Sequence, residues 1–286
     1  MTISTLAWVT THPARGRDDD EPLALAALLR TGVAVEVVDR DDAGVDWAAF
    51  DRAVLRSTWD YADRLPAFLD WLARVDGVTD LVNPLPAVRW SLDKHYLREL
   101  ADAGVPVTPT EFVPPGTAPA FPAGRFVVKS AVGAGSRGTS TYRPGQEDAA
   151  ADHVGGLHRS GQVPLVQPFV PSVATDGEWP LVFLGGAFSH AASKRVAVPE
   201  AALVQDLFAQ EENAAHTATA EQVQVAGTAL DVVTRRFGPL RYARVDLVRA
   251  EDGTSQVLEV ELVEPSLFLT CADPAAPDRL AAALTG

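Results

Sequence analysis

Arg244, Asp246, Glu259 and Glu261 are set among Val, Leu and Ala in the stretch RYARVDLVRAEDGTSQVLEVELVEP at 241–265. Asp252-Gly253 favours the positive-φ turn of a tight β-hairpin. With those two residues as the whole loop, Asp246 faces Glu259 and Arg244 faces Glu261. Side chains alternate along a strand, so all four share one face with Val257 and Val263, while Leu258, Val260 and Leu262 point the other way. Three acids crowded there repel one another and either take up protons or need a cation. Carboxylate oxygens suit Mg²⁺, which keeps waters and takes substrate phosphates in its remaining positions. The competing reading is a solvated strand in an acidic protein.

A second constellation precedes it. Gly133-Ala134-Gly135-Ser136-Arg137-Gly138 matches G-x-G-x-x-G, but the dinucleotide-binding reading requires a helix straight after the glycines. Thr139, Ser140, Thr141 and Tyr142 instead favour strand and run into Pro144-Gly145. Such a strand, glycine loop, strand unit can lie over a nucleotide's phosphates with its backbone N–H groups exposed. Lys129, beside Val127 and Val128 on the preceding strand, is then a point charge for the same phosphates. Lys94 falls in the first turn of a helix over 91–104, with Ser91 as N-cap and Gly104 as the stop. The helix dipole disfavours a lysine there, so it is either solvated or serves an anionic ligand.

The elements that must position these groups begin with a small α/β lobe over 1–85. Strands at 6–10, 34–39, 52–57 and 81–83 enclose helices at 22–30 and 65–75, a doubly wound pattern. Ligands bind at the carboxyl ends of such strands, and the strand at 52–57 runs into Arg56, Ser57, Trp59 and Asp60, where a guanidinium can grip a carboxylate. An ordinary loop with Trp59 packing is the alternative. Beyond a Pro-rich connector at 106–122 come a helix at 147–158 and a strand at 163–170, where Pro168 and Pro171 suggest a hinge able to pair with an adenine edge. A hairpin over 177–195 turns at Gly185-Gly186 and ends on Lys194 and Arg195. Residues 199–217 read as a mobile loop over the site, 217–238 as a helix, and 277–286 as a terminal helix.

Composition narrows the function. A chain of 286 residues, 47% apolar, builds more than one core. A formal charge of −14 argues against a nucleic-acid face and for a small-molecule partner. One cysteine, Cys271, excludes an internal disulfide and a thiolate-rich metal site. Without a basic leader or a long apolar run, neither a signal peptide nor a membrane span is expected, and the cytoplasm is the expected compartment. Neither H-E-x-x-H nor G-x-S-x-G occurs, so zinc hydrolysis and a nucleophile elbow have no support.

Taken in order, these parts resemble the ATP-grasp ligases over essentially the whole chain. NPLPAVRWSLDKHYLRELADAGVPVTPT, VVKSAVGAGSRGT and VLEVELVEPSLFL look most like the branch containing the D-cycloserine-forming cyclo-ligase. Bacterial glutathione synthetase and the ribosomal-protein glutamyl ligases are more distant relatives. The resemblance implies an α+β, ATP-grasp fold: two α+β lobes clasping ATP, about 107–170 and 171–286 within a domain 86–286, preceded by the Rossmann-like lobe 1–85. It implies that Lys94 and Lys129 contact phosphates under a loop of Ser136, Arg137 and Gly138, and that Gln167, Phe169 and Val170 form the adenine hinge with Glu178 near the ribose. Lys129, Arg195 and Arg244 would meet the transferred charge, and Asp246, Glu259 and Glu261 would bind two Mg²⁺, or Mn²⁺. The family's usual Glu-x-Asn is Glu259-Val260-Glu261 here. The implied reaction converts an amino-acid-like carboxylate to an acyl phosphate, which an amine attacks with release of ADP and phosphate. Cyclisation within one molecule, a non-catalytic nucleotide sensor and an NAD-dependent reductase are the alternatives, and a homodimer is compatible with the family.

Overall fold

A computed structural model describes residues 3–204 and 211–286. The first sheet is parallel and follows the expected lobe: β1 Thr5–Thr10, α1 Glu21–Arg30, β2 Ala34–Asp39, β3 Arg52–Ser57, α2 Leu65–Asp76 and β4 Asp80–Val82. The strand order is β2-β1-β3-β4. Central β1 and β3 are buried almost throughout, as parallel strands covered on both faces must be. Edge β2 alternates between exposed and covered positions.

Two short helices follow, α3 Leu85–Ser91 and α4 Tyr96–Asp102, where one helix over 91–104 was expected. Ser91 ends the first helix and caps nothing; its hydroxyl donates to Val260 O (3.0 Å) and accepts from Leu262 N (3.1 Å). Tyr96 Oη accepts from Val260 N at 2.9 Å. Lys94 therefore sits in the break between helices, shaped by the need to satisfy a strand edge.

The second sheet, antiparallel in the order β5-β8-β6-β7, contains β5 Glu111–Phe112, β6 Phe126–Ser130, β7 Ser140–Tyr142 and β8 Pro164–Pro168. Helix α5, Glu147–Arg159, packs Ala150, Val154 and Leu157 against Phe126, Val128 and Val166. The segment between β6 and β7 is the glycine loop, and no helix follows it.

After α6 (Ser172–Thr175) the third sheet assembles β9 Trp179–Leu184, β10 Ala187–Val196, β11 Glu211–His216, β12 Tyr242–Arg249 and β13 Ser255–Glu261. Its order is β11-β10-β9-β12-β13. Strand β11 pairs with β10 from Ala191↔His216 to Val196↔Glu211, so 211–216 is sheet where a loop over 199–217 was expected; residues 205–210 of that stretch lie outside the described residues. Helix α7, Ala220–Phe237, starts on a Thr219/Gln222 capping box. Helix α8, Ala276–Thr285, returns to the first lobe, and Leu28, Leu184, Tyr242, Leu280 and Leu284 share one core.

The hairpin β12-β13 reaches the expected pairing by a different route. Ala250 N donates to Thr254 O at 2.8 Å, so the loop has three residues, with Gly253 at φ +87°. The extra residue shifts the register to Leu247↔Val257, and a bulge at Leu258 restores Asp246↔Glu259 and Arg244↔Glu261. The bulge changes the neighbours: Val257 turns into the core with Val260 and Leu262, and Leu258 faces outward beside the two glutamates. Asn83 clamps this hairpin to the first lobe, donating to Tyr242 O (2.8 Å) and Leu262 O (2.9 Å) and accepting from Arg241 N (2.8 Å).

Candidate active site

A cleft of about 560 Å³ is lined by the second and third sheets and by loops of the first lobe. Three lysines and an arginine converge on the face of β13. Lys94 Nζ lies 2.8 Å from Glu259 Oε1 and donates to Gly133 O at 3.2 Å. Lys194 Nζ lies 2.7 Å from Glu178 Oε2 and 3.1 Å from Asp246 Oδ2. Arg244 grips Asp246 with Nε (2.7 Å) and Nη2 (2.9 Å), and its Nη2 also bonds Glu261. Lys129 lines the same cleft without an ion pair among the described residues.

These contacts sort the acids. Burial opposes ionisation of Asp246, yet Arg244 and Lys194 outweigh it and hold its carboxyl at about 2. Burial also opposes Glu259, and Lys94 and Lys129 outweigh it, keeping that group below the usual carboxylate range. Glu261 goes the other way: burial, with repulsion from Glu259 and Asp246, exceeds the pull of Arg244 and pushes it up to about 7. Glu264, buried and close to Glu261, rises to about 8. Burial lowers Lys129, whereas the pull of Glu259 overcomes burial at Lys94 and raises it.

Several expected residues are brought together. Ser136 and Arg137 line the cleft, and Arg137 pairs with Asp63 of the first lobe. Gly138 N donates to Val204 O at 3.1 Å. Gln167, Phe169 and Val170 line the opposite end; Gln167 Nε2 donates to Thr110 Oγ1 at 2.8 Å, and the Arg125 guanidinium lies 4.1 Å from the Phe169 ring centroid. Glu178 shares a two-way backbone bridge with Lys194, 2.7 and 2.8 Å. Gly177 makes that bridge possible, since a Cβ there would stand 2.7 Å from Lys194 O.

Other expectations are corrected. Arg195 is exposed and donates to Thr175 O at 2.9 Å; strand alternation turns Lys194, not Arg195, into the cleft. Asp246 does not line the cleft, because Arg244 and Lys194 occupy both of its oxygens. Among the described residues no three His, Cys, Asp or Glu are grouped to hold a metal, although Glu259 and Glu261 face the cleft with the hard oxygens Mg²⁺ prefers. Of Arg56, Ser57, Trp59 and Asp60, only Trp59 lines the cleft. Arg56 is buried behind it, 3.7 Å from Asp18 Oδ2 and Asp20 Oδ2. Ser57 bonds Thr10, and Asp60 pairs with Arg40 and Arg64.

The sequence reading missed Lys194, Asp18 and Glu264, all of which line the cleft. For Asp18 a signal existed, since the acidic loop 18–20 follows the carboxyl end of β1. For Lys194 it did not, because a register irregularity between Phe188 and His190 breaks the simple alternation from the Gly185-Gly186 turn.

Comparison with known proteins agrees with this architecture. Residues 6–83 match the family model for the N-terminal domain of D-cycloserine synthetase DcsG. The cycloserine biosynthesis protein DcsG of Streptomyces lavendulae is 40% identical over 292 aligned residues, 96% of each chain. The crystal structure of D-cycloserine synthetase DcsG superposes with a TM-score of 0.88, 38% identity and 99% coverage of both chains. D-alanine–D-alanine ligase from Bacillus anthracis shares the fold alone, at a TM-score of 0.65 and 14% identity, covering 98% of this chain and 96% of the ligase. No helix among the described residues is long and apolar enough to cross a membrane. The chain belongs to the ATP-grasp ligases, ATP-dependent enzymes that form carbon–nitrogen bonds, and within them to the D-cycloserine synthetase family.

Proposed function

We propose that the cleft activates an amino-acid-type carboxylate with ATP and delivers it to an amine. The observation that carries this reading is the half-buried Lys129, which shares the cleft with Lys94, Arg244 and Glu259 and whose charge desolvation disfavours. Burial without an ion partner is costly for an ammonium, and an incoming phosphate supplies the missing anion. Lys94 and Lys129 then hold phosphates, Ser136, Arg137 and Gly138 cover them, Gln167, Phe169 and Val170 take the adenine, and Glu178 meets the ribose. Lys194 replaces Arg195 as the cation beside the transferred group, with Arg244 next to it. Glu259 and Glu261, with Asp246 behind them, would hold Mg²⁺, two ions in this reading, which neutralises phosphate charge when bound.

The substrate carboxylate oxygen attacks the γ-phosphorus, the bond to the β,γ-bridging oxygen breaks, and ADP leaves. A neutral amine then attacks the acyl carbon, the carbon–oxygen bond to phosphate breaks, and the amine's surplus proton goes to solvent or a nearby base. Residues 1–85 form the substrate lobe, and 107–170 and 171–286 the two jaws of the domain 86–286. Kinship to DcsG favours a variant in which carboxyl and amine belong to one molecule, giving a ring.

The test is ADP release with Mg²⁺-ATP and pooled amino acids, wild type beside Glu259→Gln, with products read by mass. A product heavier than either substrate, equal to their sum less water, identifies intermolecular ligation. A product lighter than one substrate by a water identifies cyclisation. Equal activity from Glu259→Gln would overturn the assignment of that residue. ATP binding without ADP formation on any pool would indicate a sensor.

A further inference from the structure

The end of the cleft against the first lobe carries two carboxyl groups that the chemistry above does not use. Asp18 is 7% exposed and Glu264 5%, and both line the cleft. Asp18 Oδ1 accepts from Asp20 N at 3.0 Å, but Oδ2 accepts no hydrogen bond. Its cation, Arg56, stays 3.7 Å away, beyond hydrogen-bonding reach. Glu264 is anchored through its backbone, where Trp59 Nε1 donates to Glu264 O at 3.3 Å. Its carboxyl group makes no hydrogen bond or ion pair among the described residues.

Neighbouring Asp20 shows what a structural role looks like in the same loop. Its two oxygens accept from Leu267 N (2.5 Å) and Leu269 N (2.7 Å), which fixes the turn after β13 against the first lobe. The protein therefore commits Asp20 to its own backbone and leaves two carboxyl groups in the cleft wall short of donors: Asp18, whose buried Oδ2 accepts no hydrogen bond, and Glu264. Nearly buried acceptors without donors are unfavourable unless a ligand brings the donors. Arg56, its guanidinium 5.3 Å from the Trp8 ring centroid and 5.8 Å from that of Tyr242, supplies only a charge from behind.

We propose that Asp18 and Glu264 are the specificity residues for the amino group of the substrate, receiving an ammonium at the first-lobe end of the cleft. This rests on the ligase reading above and adds the polarity of the bound acid: its carboxylate points to the lysines and its ammonium to Asp18 and Glu264. The raised titration of Glu264 agrees, since an arriving cation is what a carboxyl buried beside Glu261 lacks. An acid whose amine is acylated loses the charge and is rejected.

The experiment compares ADP release on pooled free amino acids with release on the same pool N-acetylated, for wild type, Asp18→Asn and Glu264→Gln. Circular dichroism and thermal unfolding confirm that each variant is folded. Wild type is expected to prefer the free pool at least tenfold. Each substitution is expected to raise KM for the acid tenfold or more, to leave KM for ATP within twofold, and to narrow the preference over the acetylated pool. Wild type that accepts both pools equally, or folded variants with an unchanged KM for the acid, would overturn the inference while leaving the ligase reading intact. Variants in which both KM values rise together would also overturn it, because they would show a general disturbance of the cleft. No ADP from wild type on either pool would count against the ligase reading and this inference with it.

Discussion

Exchanging the expected roles of Lys194 and Arg195 is a sharp test of the site. Lys194 Nζ lies between Glu178 (2.7 Å) and Asp246 (3.1 Å), with Asp246 fully buried. Lys194→Met keeps most of the stem's volume and removes the charge. Breaking a buried ion pair by deleting one partner costs about 3–5 kcal/mol. Here Arg244 still holds both oxygens of Asp246, so the loss belongs at the lower end, about 3 kcal/mol, which lowers Tm by roughly 6–12 °C at about 2–4 °C per kcal/mol. Loss of a cation beside the transferred phosphate should lower kcat by about 10²–10³. Arg195→Ala removes one exposed contact to Thr175 O and should stay within about 0.5 kcal/mol, with kcat within twofold. Thermal unfolding and Mg²⁺-ATP turnover on the same preparations give both readings. An inactive Arg195→Ala beside an active, equally stable Lys194→Met would refute the assignment and restore the sequence expectation.

Three further outcomes are expected. Lys129→Ala should abolish turnover and weaken ATP binding at least tenfold in calorimetry, with no loss of stability, because a half-buried lysine whose charge is disfavoured is removed; unchanged ATP affinity would remove Lys129 from the phosphate site. Arg56→Met should destabilise the fold by about 3 kcal/mol, since Asp18 and Asp20 lose their shared cation; a higher KM for the acid at unchanged stability would instead return Arg56 to direct substrate contact. Glu264 faces Glu261, Arg244, Arg56 and Lys94, and titrates at about 8 in the fold against an ordinary 4.5. Its contribution is therefore fully present below pH 4.5 and is lost as pH rises through about 8, on the order of 5 kcal/mol at most; urea unfolding from pH 5 to 9 should show this decline, and Glu264→Gln should flatten it.

Periodicity was a good guide where each strand had one neighbour environment. The parallel lobe, the Gly185-Gly186 hairpin and the helix over 220–237 follow from local pattern, and so does the exclusion of a dinucleotide fold at the glycine loop, because Ser140–Tyr142 form a strand and not a helix. It failed where distant groups decide. Ser91 and Tyr96 break a good amphipathic helix to serve the edge of β13, and no spacing within 91–104 records that demand. Arg56 stands near the end of a readable strand, yet the loop at 18–20 comes between it and the cleft, a relation visible only in three dimensions.

The hairpin shows how a correct site can follow from an incorrect local geometry. A two-residue loop without a bulge and a three-residue loop with a bulge at Leu258 leave Asp246 opposite Glu259 and Arg244 opposite Glu261 alike. They differ in what lies between loop and site. Without the bulge, Val257 would stand on the glutamates' face and leave a hole among Val260, Leu262 and Leu247; with it, Val257 fills that core and Leu258 is added to the cleft. The longer loop alone would shift the pairing by one residue and turn both glutamates toward the apolar core, where an unpaired carboxylate costs several kcal/mol. Loop length and bulge are thus coupled: deleting Glu251 alone or Leu258 alone should abolish folding of the lobe, and deleting both should recover folding and Glu259-dependent turnover. Recovery by either single deletion, read by hydrogen exchange across 242–261, would show that register is set elsewhere.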